Sequence, residues 1–349
     1  MAIRVIVVDD SAFMRKIISD VLNSDKDIQV IYAASNGKEA LEKIKQYSPD
    51  VVTLDVEMPT MDGLECLRHI MKEHPLPVIM ISSLTSEGAE ATIKALELGA
   101  IDFIAKPLNF FNINSDRFRE EMIRKIKVAR NSMVTPFTYQ LRSRSSGKTK
   151  HNSSLKNIVA IGTSTGGPRA LQQVIPLIPG NIPAAFTVVQ HMPPGFTKSL
   201  AARLDGMSEL SVKEAEEGDV LQAGNVYIAP GDYHLKVHKD NLSDRLVIHL
   251  DKSDSNDAGR HRPSVNVMMN SLSDTGLKNI IGVIMTGMGN DGCEGLKKLK
   301  EKNNAYIIAQ SKESCVVYGM PKAAVSAGIV DRIVPLDEIS NVITKMVGV

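Results

Sequence analysis

Short β-branched runs at residues 3–8, 28–33, 51–54, 78–81 and 103–105 alternate with stretches whose apolar residues recur at helical spacing. Five strand–helix units follow. Strands that are apolar throughout and separated by helices predict a parallel sheet covered on both faces, and right-handed crossovers place every strand's C-terminal end along one edge. Ligands bind at that edge. The last helix of this half carries a stripe of Phe118, Met122, Ile126 and Ala129, with Ser115 placed to cap it and Glu120/Arg124 and Glu121/Lys125 paired at i,i+4. It closes a first domain over residues 1–130.

From 131 to 154 the apolar period fails, and Ser, Thr, Lys, Arg and Gln dominate around Pro136 and Gly147. This reads as a linker. A flexible tether of about 22 residues spans roughly 25 Å, enough for the flanking domains to touch in more than one arrangement. The second domain, 155–349, alternates again, with strands expected at 158–161, 185–189, 225–229, 246–249, 280–285 and 305–309. Turns at Pro230-Gly231-Asp232 and Asp240-Asn241 predict an antiparallel excursion between 224 and 250. The order of these strands is not legible from the pattern.

The length of 349 residues fits two cores. With 41 Lys plus Arg against 40 Asp plus Glu, the net charge of +1 gives no field to gather nucleic acid or anionic membrane. Partners are therefore expected to be proteins or small molecules. Three distant cysteines, Cys66, Cys293 and Cys315, show neither metal-like nor redox-like spacing and suit a reducing cytosol. No charged leader and no apolar stretch of roughly 20 residues is present, so a soluble cytoplasmic protein without membrane insertion is expected.

Two clusters carry candidate chemistry. Asp9 and Asp10 follow the first strand and Asp55 ends the third, so adjacent first and third strands would gather three carboxylates at one edge. A hard cation would relieve their repulsion, and Mg²⁺ suits carboxylates plus a phosphoryl group. Ser82 and Lys106, at the ends of the fourth and fifth strands, would complete a pocket for an acyl phosphate on Asp55. Over residues 1 to about 130 the set Asp9, Asp10, Asp55, Ser82, Phe103 and Lys106-Pro107 resembles the receiver domain of bacterial response regulators. The resemblance implies that Asp55 accepts a phosphoryl group from a histidine kinase, with Asp10, Asp55 and the main-chain carbonyl of Glu57 on Mg²⁺ and Asp9 assisting. It also implies that Phe103 reorients as Ser82 closes on the phosphoryl oxygens. An aspartyl phosphatase of the haloacid-dehalogenase kind would carry its acid pair on the first strand, which Asp55 does not occupy.

The second cluster begins where the strand at 158–161 runs into Gly162-Thr163-Ser164-Thr165-Gly166-Gly167-Pro168, the setting of a nucleophile elbow. The glycines relieve a sharp turn and leave the Ser164 hydroxyl near helix N-terminal amides. The turn lacks the lysine of a P-loop and the spacing of a dinucleotide fingerprint. Of the 8 histidines, His191 follows an apolar strand and faces the same edge, with His261 as its one competitor for the base. His234 and His238 alternate along a strand and read as a polar surface face. Asp291, in the turn after residues 280–285, is the candidate that orients the imidazole, although it could equally cap the helix that follows.

These three segments, 161–167, 190–197 and 285–292, resemble the catalytic domain of the chemotaxis methylesterases. The resemblance implies a Ser164, His191, Asp291 triad, the main-chain N–H of Met288 as oxyanion donor, and Thr165 helping to orient His191. It departs only mildly from the family, with Thr163 and Asn290 where many relatives have alanine. The expected fold class is α/β: a flavodoxin-like receiver with a five-stranded parallel sheet, then a Rossmann-like doubly wound sheet with an antiparallel excursion. The expected activity is hydrolysis of glutamate methyl esters and deamidation of certain glutamines on methyl-accepting chemoreceptors, with no cofactor for the esterase and Mg²⁺ for receiver phosphorylation only. A receiver covering the second domain's reactive edge would give phosphorylation its control. The competing reading is a receiver joined to a non-catalytic nucleotide-binding module; a DNA-binding output lacks a basic helix-turn-helix.

Overall fold

Every position from Val5 to Val8, like Val51, Val52 and Leu54, is sealed from solvent, which is why these runs become interior strands of a parallel sheet. In a computed structural model, which describes residues 2–107, 116–132, 134, 154–240, 243–253 and 261–348, the chain divides into two compact units, Met1–Arg142 and Ser143–Val349. Most of the expected linker, and Ser115, lie outside the described residues.

The first unit contains β1 (Ile3–Val8), β2 (Ile28–Ala34), β3 (Val51–Asp55), β4 (Val78–Ser82) and β5 (Asp102–Ala105) in the order β2-β1-β3-β4-β5. All pairs are parallel, so β1 and β3 are neighbours as the acidic cluster requires. Side-chain caps from Ser11, Asn36, Asp62 and Thr85 start the helices at 12, 37, 63 and 86. The helix Asp116–Arg130 buries Phe118, Met122, Ile126 and Ala129 against the sheet. Lys125 on this helix pairs with Asp102 and Glu121, both at 3.2 Å.

The second unit contains β6 (Asn157–Thr163), β7 (Ala184–Gln190), β8 (Ser211–Glu214), β9 (Asn225–Ile228), β10 (His234–Lys239), β11 (Leu246–Asp251), β12 (Ile280–Ile284), β13 (Tyr306–Gln310) and β14 (Arg332–Val334). Seven of them form a parallel sheet in the order β14-β13-β12-β6-β7-β9-β8, with β6, β7 and β12 at its centre. The antiparallel excursion is a separate ribbon, β10 with β11, which leaves β9 in the parallel sheet. It packs its Leu235, Val237 and Ile248 into the same core as Met268, Leu272 and Leu296. The edge strands β8 and β14 were not anticipated; at four and three residues they are too short to leave a periodic signature. His234, expected on a polar face, is buried instead, and that burial pushes its imidazole down from the ordinary value. No helix among the described residues is long and apolar enough to cross a membrane.

Candidate active site and phosphoacceptor site

In the first unit, carboxylate oxygens of Asp9, Asp10 and Asp55 lie within 4.8 Å of one another. Asp9 and Asp55 are buried, whereas Asp10 is exposed. Lys106 reaches across from the end of β5, its Nζ 2.6 Å from Asp55 Oδ2 and 3.0 Å from Asp9 Oδ2. Burial pushes the Asp55 carboxyl up, the Lys106 ammonium opposes that, and the neighbouring Asp9 charge adds to it. For Lys106 itself, burial is outweighed by the two carboxylates, so its ammonium is held more firmly than usual. An all-oxygen set this close fits a hard divalent cation. Asp10 and Glu57 also line a cleft of about 530 Å³ beside the cluster.

The two expected switch residues make their contacts elsewhere. Ser82 Oγ donates to the Gly88 carbonyl at 3.0 Å, a carbonyl that also accepts from Thr92 Oγ1 at 2.7 Å. Phe103 is buried, with the Lys125 ammonium 5.2 Å from its ring centroid. A further requirement went unread in the sequence: a Cβ on Gly63 would come within 2.0 Å of the Asp55 carbonyl, so glycine alone lets the following helix start against the phosphoacceptor's backbone.

In the second unit the strand ends of β6, β7 and β12 converge. Thr163 pairs with Gln190, so Ser164 and His191 stand side by side one position further on, with the His191 N–H donating to the Thr163 carbonyl at 3.2 Å. Ser164 N–H donates to the Thr286 carbonyl beyond β12 at 3.0 Å. Gly287 is a necessity of that approach, because a Cβ there would lie 2.8 Å from Ser164 Cβ. The serine is 8% exposed, close to solvent but enclosed by its turn. That turn is possible because Gly166 adopts φ +76°.

His191 Nε2 lies 2.8 Å from Asp291 Oδ2. A carboxylate only accepts, so the hydrogen belongs on Nε2 and the lone pair on Nδ1. Nδ1 is buried and has no hydrogen-bond partner, so Ser164 Oγ does not yet donate to it. Asp291 is more than an orienting group. Its Oδ2 also accepts from Val265 N–H at 2.7 Å, and its Oδ1 from Asn266 N–H at 2.9 Å and Ser264 Oγ at 3.0 Å. It therefore caps the helix Val265–Ser273, not the helix Cys293–Asn303 that it precedes, whose N-cap is Gly292. Asn266 returns the favour, its Oδ1 accepting from Gly292 N–H and Gly295 N–H. Burial would raise the Asp291 carboxyl, but the bond and charge of His191 and the two helix amides hold it below the ordinary range.

Gln190 and Thr286 escaped the sequence reading, and Gly167 and His261 take parts it did not foresee. Gln190 is buried, donates from Nε2 to the carbonyls of Ser164 and His191, each at 3.0 Å, and accepts from Thr163 Oγ1 at 2.5 Å. It fixes the backbones of nucleophile and base together. Gly167 makes room for it, since a Cβ would come within 2.0 Å of its Oε1. His261, the competitor for the base, stacks on His191 with centroids 4.2 Å apart and planes at 13°. Thr286 Oγ1 donates to the Thr165 carbonyl at 2.9 Å, and the Gly287 carbonyl accepts from Gly319 and Met320, which braces the turn carrying Met288 beside Ser164.

Residues 159–343 match the family model of the CheB methylesterase, and residues 5–115 that of the response regulator receiver domain. A protein-glutamate methylesterase/protein-glutamine glutaminase of Geobacillus kaustophilus is 51% identical over 349 residues, 99% of each chain. A counterpart from Syntrophomonas wolfei is 49% identical over 348 residues, 98% of this chain and 99% of its own. Among solved structures, the Thermotoga maritima CheB methylesterase catalytic domain is similar at 47% identity with a TM-score of 0.51, covering 55% of this chain and 97% of that one.

Proposed function

The chain belongs to the CheB methylesterase family and carries a response regulator receiver domain, and from that premise we propose that it is a phosphorylation-controlled serine esterase acting on chemoreceptors. It removes methyl groups from glutamate methyl esters as methanol and deamidates particular glutamines with release of ammonia. The reading divides the chain into a receiver at 1–130, a tether at 131–154 and the esterase at 155–349.

Ser164 Oγ attacks the ester carbonyl and passes its proton to His191 Nδ1, the ring nitrogen that Asp291 leaves open. The bond between His191 and Asp291 at 2.8 Å is the observation that most supports this. The carboxylate holds the Nε2–H tautomer and steadies the imidazolium as it forms. The main-chain N–H of Met288 stabilises the tetrahedral oxyanion, and Thr165 helps to orient His191. The proton on Nδ1 then moves to the departing methoxide, methanol leaves, and an acyl-Ser164 remains. Water, deprotonated by His191, cleaves the acyl bond; the proton returns to Ser164 and a glutamate carboxylate is released. With an amide the leaving nitrogen must be protonated before it departs, so deamidation depends more heavily on His191 as general acid. Rotation of Ser164 Oγ to Nδ1 accompanies substrate binding.

In the receiver, phosphorylation of Asp55 by a histidine kinase is Mg²⁺-dependent. Asp10, Asp55 and the carbonyl of Glu57 would hold the ion with Asp9 assisting, and it would supply positive charge to the phosphoryl oxygens. Lys106 contributes charge to the same oxygens, Ser82 supplies a hydrogen bond after leaving Gly88, and Phe103 reorients with it. The esterase itself needs no cofactor on this reading. Methanol release from methylated receptor membranes tests the assignment. The Ser164→Ala protein should lose about 10⁴- to 10⁶-fold in turnover, and a variant that still releases methanol at the parental rate ends it.

A further inference from the structure

The second unit has another concavity, at the sheet edge opposite Ser164, and we propose that it docks an acidic peptide bearing aliphatic side chains. The cavity, about 740 Å³, falls within the roughly 300–1,000 Å³ typical of ligand sites. It forms where β6 and β11 begin and where the loop before β12 passes, so its rim includes Lys156, Arg245 and Lys278. Ile158 in its wall and Ser164 are six positions apart along one strand, which separates groove and nucleophile by roughly 20 Å. An occupant would leave the esterase site open.

Charge and surface character select the partner. Four cations, Lys156, Lys239, Arg245 and Lys278, line the groove against the single acid Asp244, a local excess of +3 (four minus one) in a chain whose total is +1. Lys239 already pairs with Asp244 at 2.6 Å, and Lys278 donates to the Lys302 carbonyl at 3.0 Å. The side chains of Lys156 and Arg245 make no hydrogen bond or ion pair among the described residues. The lining also includes Leu155 and Leu277, both half-buried, and the buried Leu221 and Leu246 behind them, which supply its aliphatic part. Among the described residues the lining holds no aromatic ring, and so offers no stacking platform on which nucleic-acid bases could rest. Carboxylates over the two free cations and aliphatic side chains on the leucines satisfy both parts of the surface. Such docking would tether a protein substrate and raise its effective concentration at the distant hydroxyl. The binding measurement does not depend on the esterase reading, because it needs no turnover; the folding control alone uses the reactivity of Ser164.

The test uses the full-length protein and a fluorescein-labelled peptide of alternating glutamate and leucine, followed by anisotropy. The wild type should bind it saturably and lose about fivefold or more in affinity between low and physiological salt. The Lys156→Glu/Arg245→Glu protein should bind about tenfold or more weakly, while fluorophosphonate still labels Ser164 at the wild-type rate, which excludes a folding defect. If that labelling is slowed, the charge-neutral Lys156→Gln/Arg245→Gln protein takes its place. The proposal is overturned if the wild type does not bind the peptide, if a correctly folded double variant binds it equally, or if an all-glutamate peptide or a single-stranded oligonucleotide binds as tightly.

Discussion

Replacing Asp291 with asparagine keeps the shape of the site and changes one acceptor into a donor, and the surroundings leave no orientation of the amide that satisfies them. Four donors converge on the carboxylate, two on each oxygen. If the amide oxygen faces Asn266 N–H and Ser264, the NH₂ group meets Val265 N–H and drives His191 into the Nδ1–H tautomer, which cannot take a proton from Ser164. If it faces His191 and Val265, the NH₂ group meets Asn266 N–H, and the imidazolium loses its counter-charge. One helix amide is orphaned either way, at a cost of about 1–3 kcal/mol in unfolding free energy. Turnover should fall by about 10⁴-fold, as in other triads deprived of the orienting carboxylate. The assay pairs fluorophosphonate labelling of Ser164 with urea unfolding of the same sample. A variant keeping more than about a tenth of the labelling rate with an unchanged unfolding midpoint would refute the assigned tautomer and the capping role together. The pH dependence gives the sign. The folded carboxyl titrates below its unfolded value, so its stabilisation is complete above the ordinary carboxylate range and fades as pH falls through the depressed value. The stability gap between wild type and variant should therefore narrow on acidification, and a gap that widens contradicts the argument.

Gln190→Leu removes the clamp between the backbones of Ser164 and His191, and should lower stability by about 1–3 kcal/mol and kcat more than KM, seen by urea titration and steady-state methanol release. The Gly167→Ala protein should reproduce part of that loss by displacing Gln190, again read by Ser164 labelling. A fragment from about residue 152 should be more active than the unphosphorylated full chain, each tenfold corresponding to about 1.4 kcal/mol of differential stability; equal or lower methanol release would rule out inhibition by the receiver. Asp55→Asn should abolish stimulation by a small-molecule phosphodonor while leaving basal labelling of Ser164 intact.

Much of this was readable before any coordinates. The placing of Asp9, Asp10, Asp55, Ser164, His191 and Asp291 at strand ends follows from apolar strands alternating with helices and from the rule that crossovers put those ends on one edge, whereas the adjacency of β1 and β3 was a condition of that reading which the strand order supplies. Long-range exchange was not readable. Asp291 and its donor partners at 264–266 are some 25 residues apart, so the chain suggested a cap for the adjacent helix when the structure provides one for a neighbour. Gln190 drew no reading of its own because its role depends on two carbonyls brought together only by pairing. His234 misled for the opposite reason: alternation in the β10–β11 ribbon marks one face as different from the other but does not say which one meets the core. The stack of His261 on His191 joins loops that no local pattern relates.

The shared carbonyl of Gly88 bears on how readily the receiver can respond. If the Ser82 hydroxyl swings toward a phosphoryl oxygen as proposed, Thr92 still occupies that carbonyl, so its departure would strand no buried acceptor. On the proposed reading of Asp55, the free energy of an acyl phosphate would then not be spent on an orphaned carbonyl and would be available for rearranging the surface.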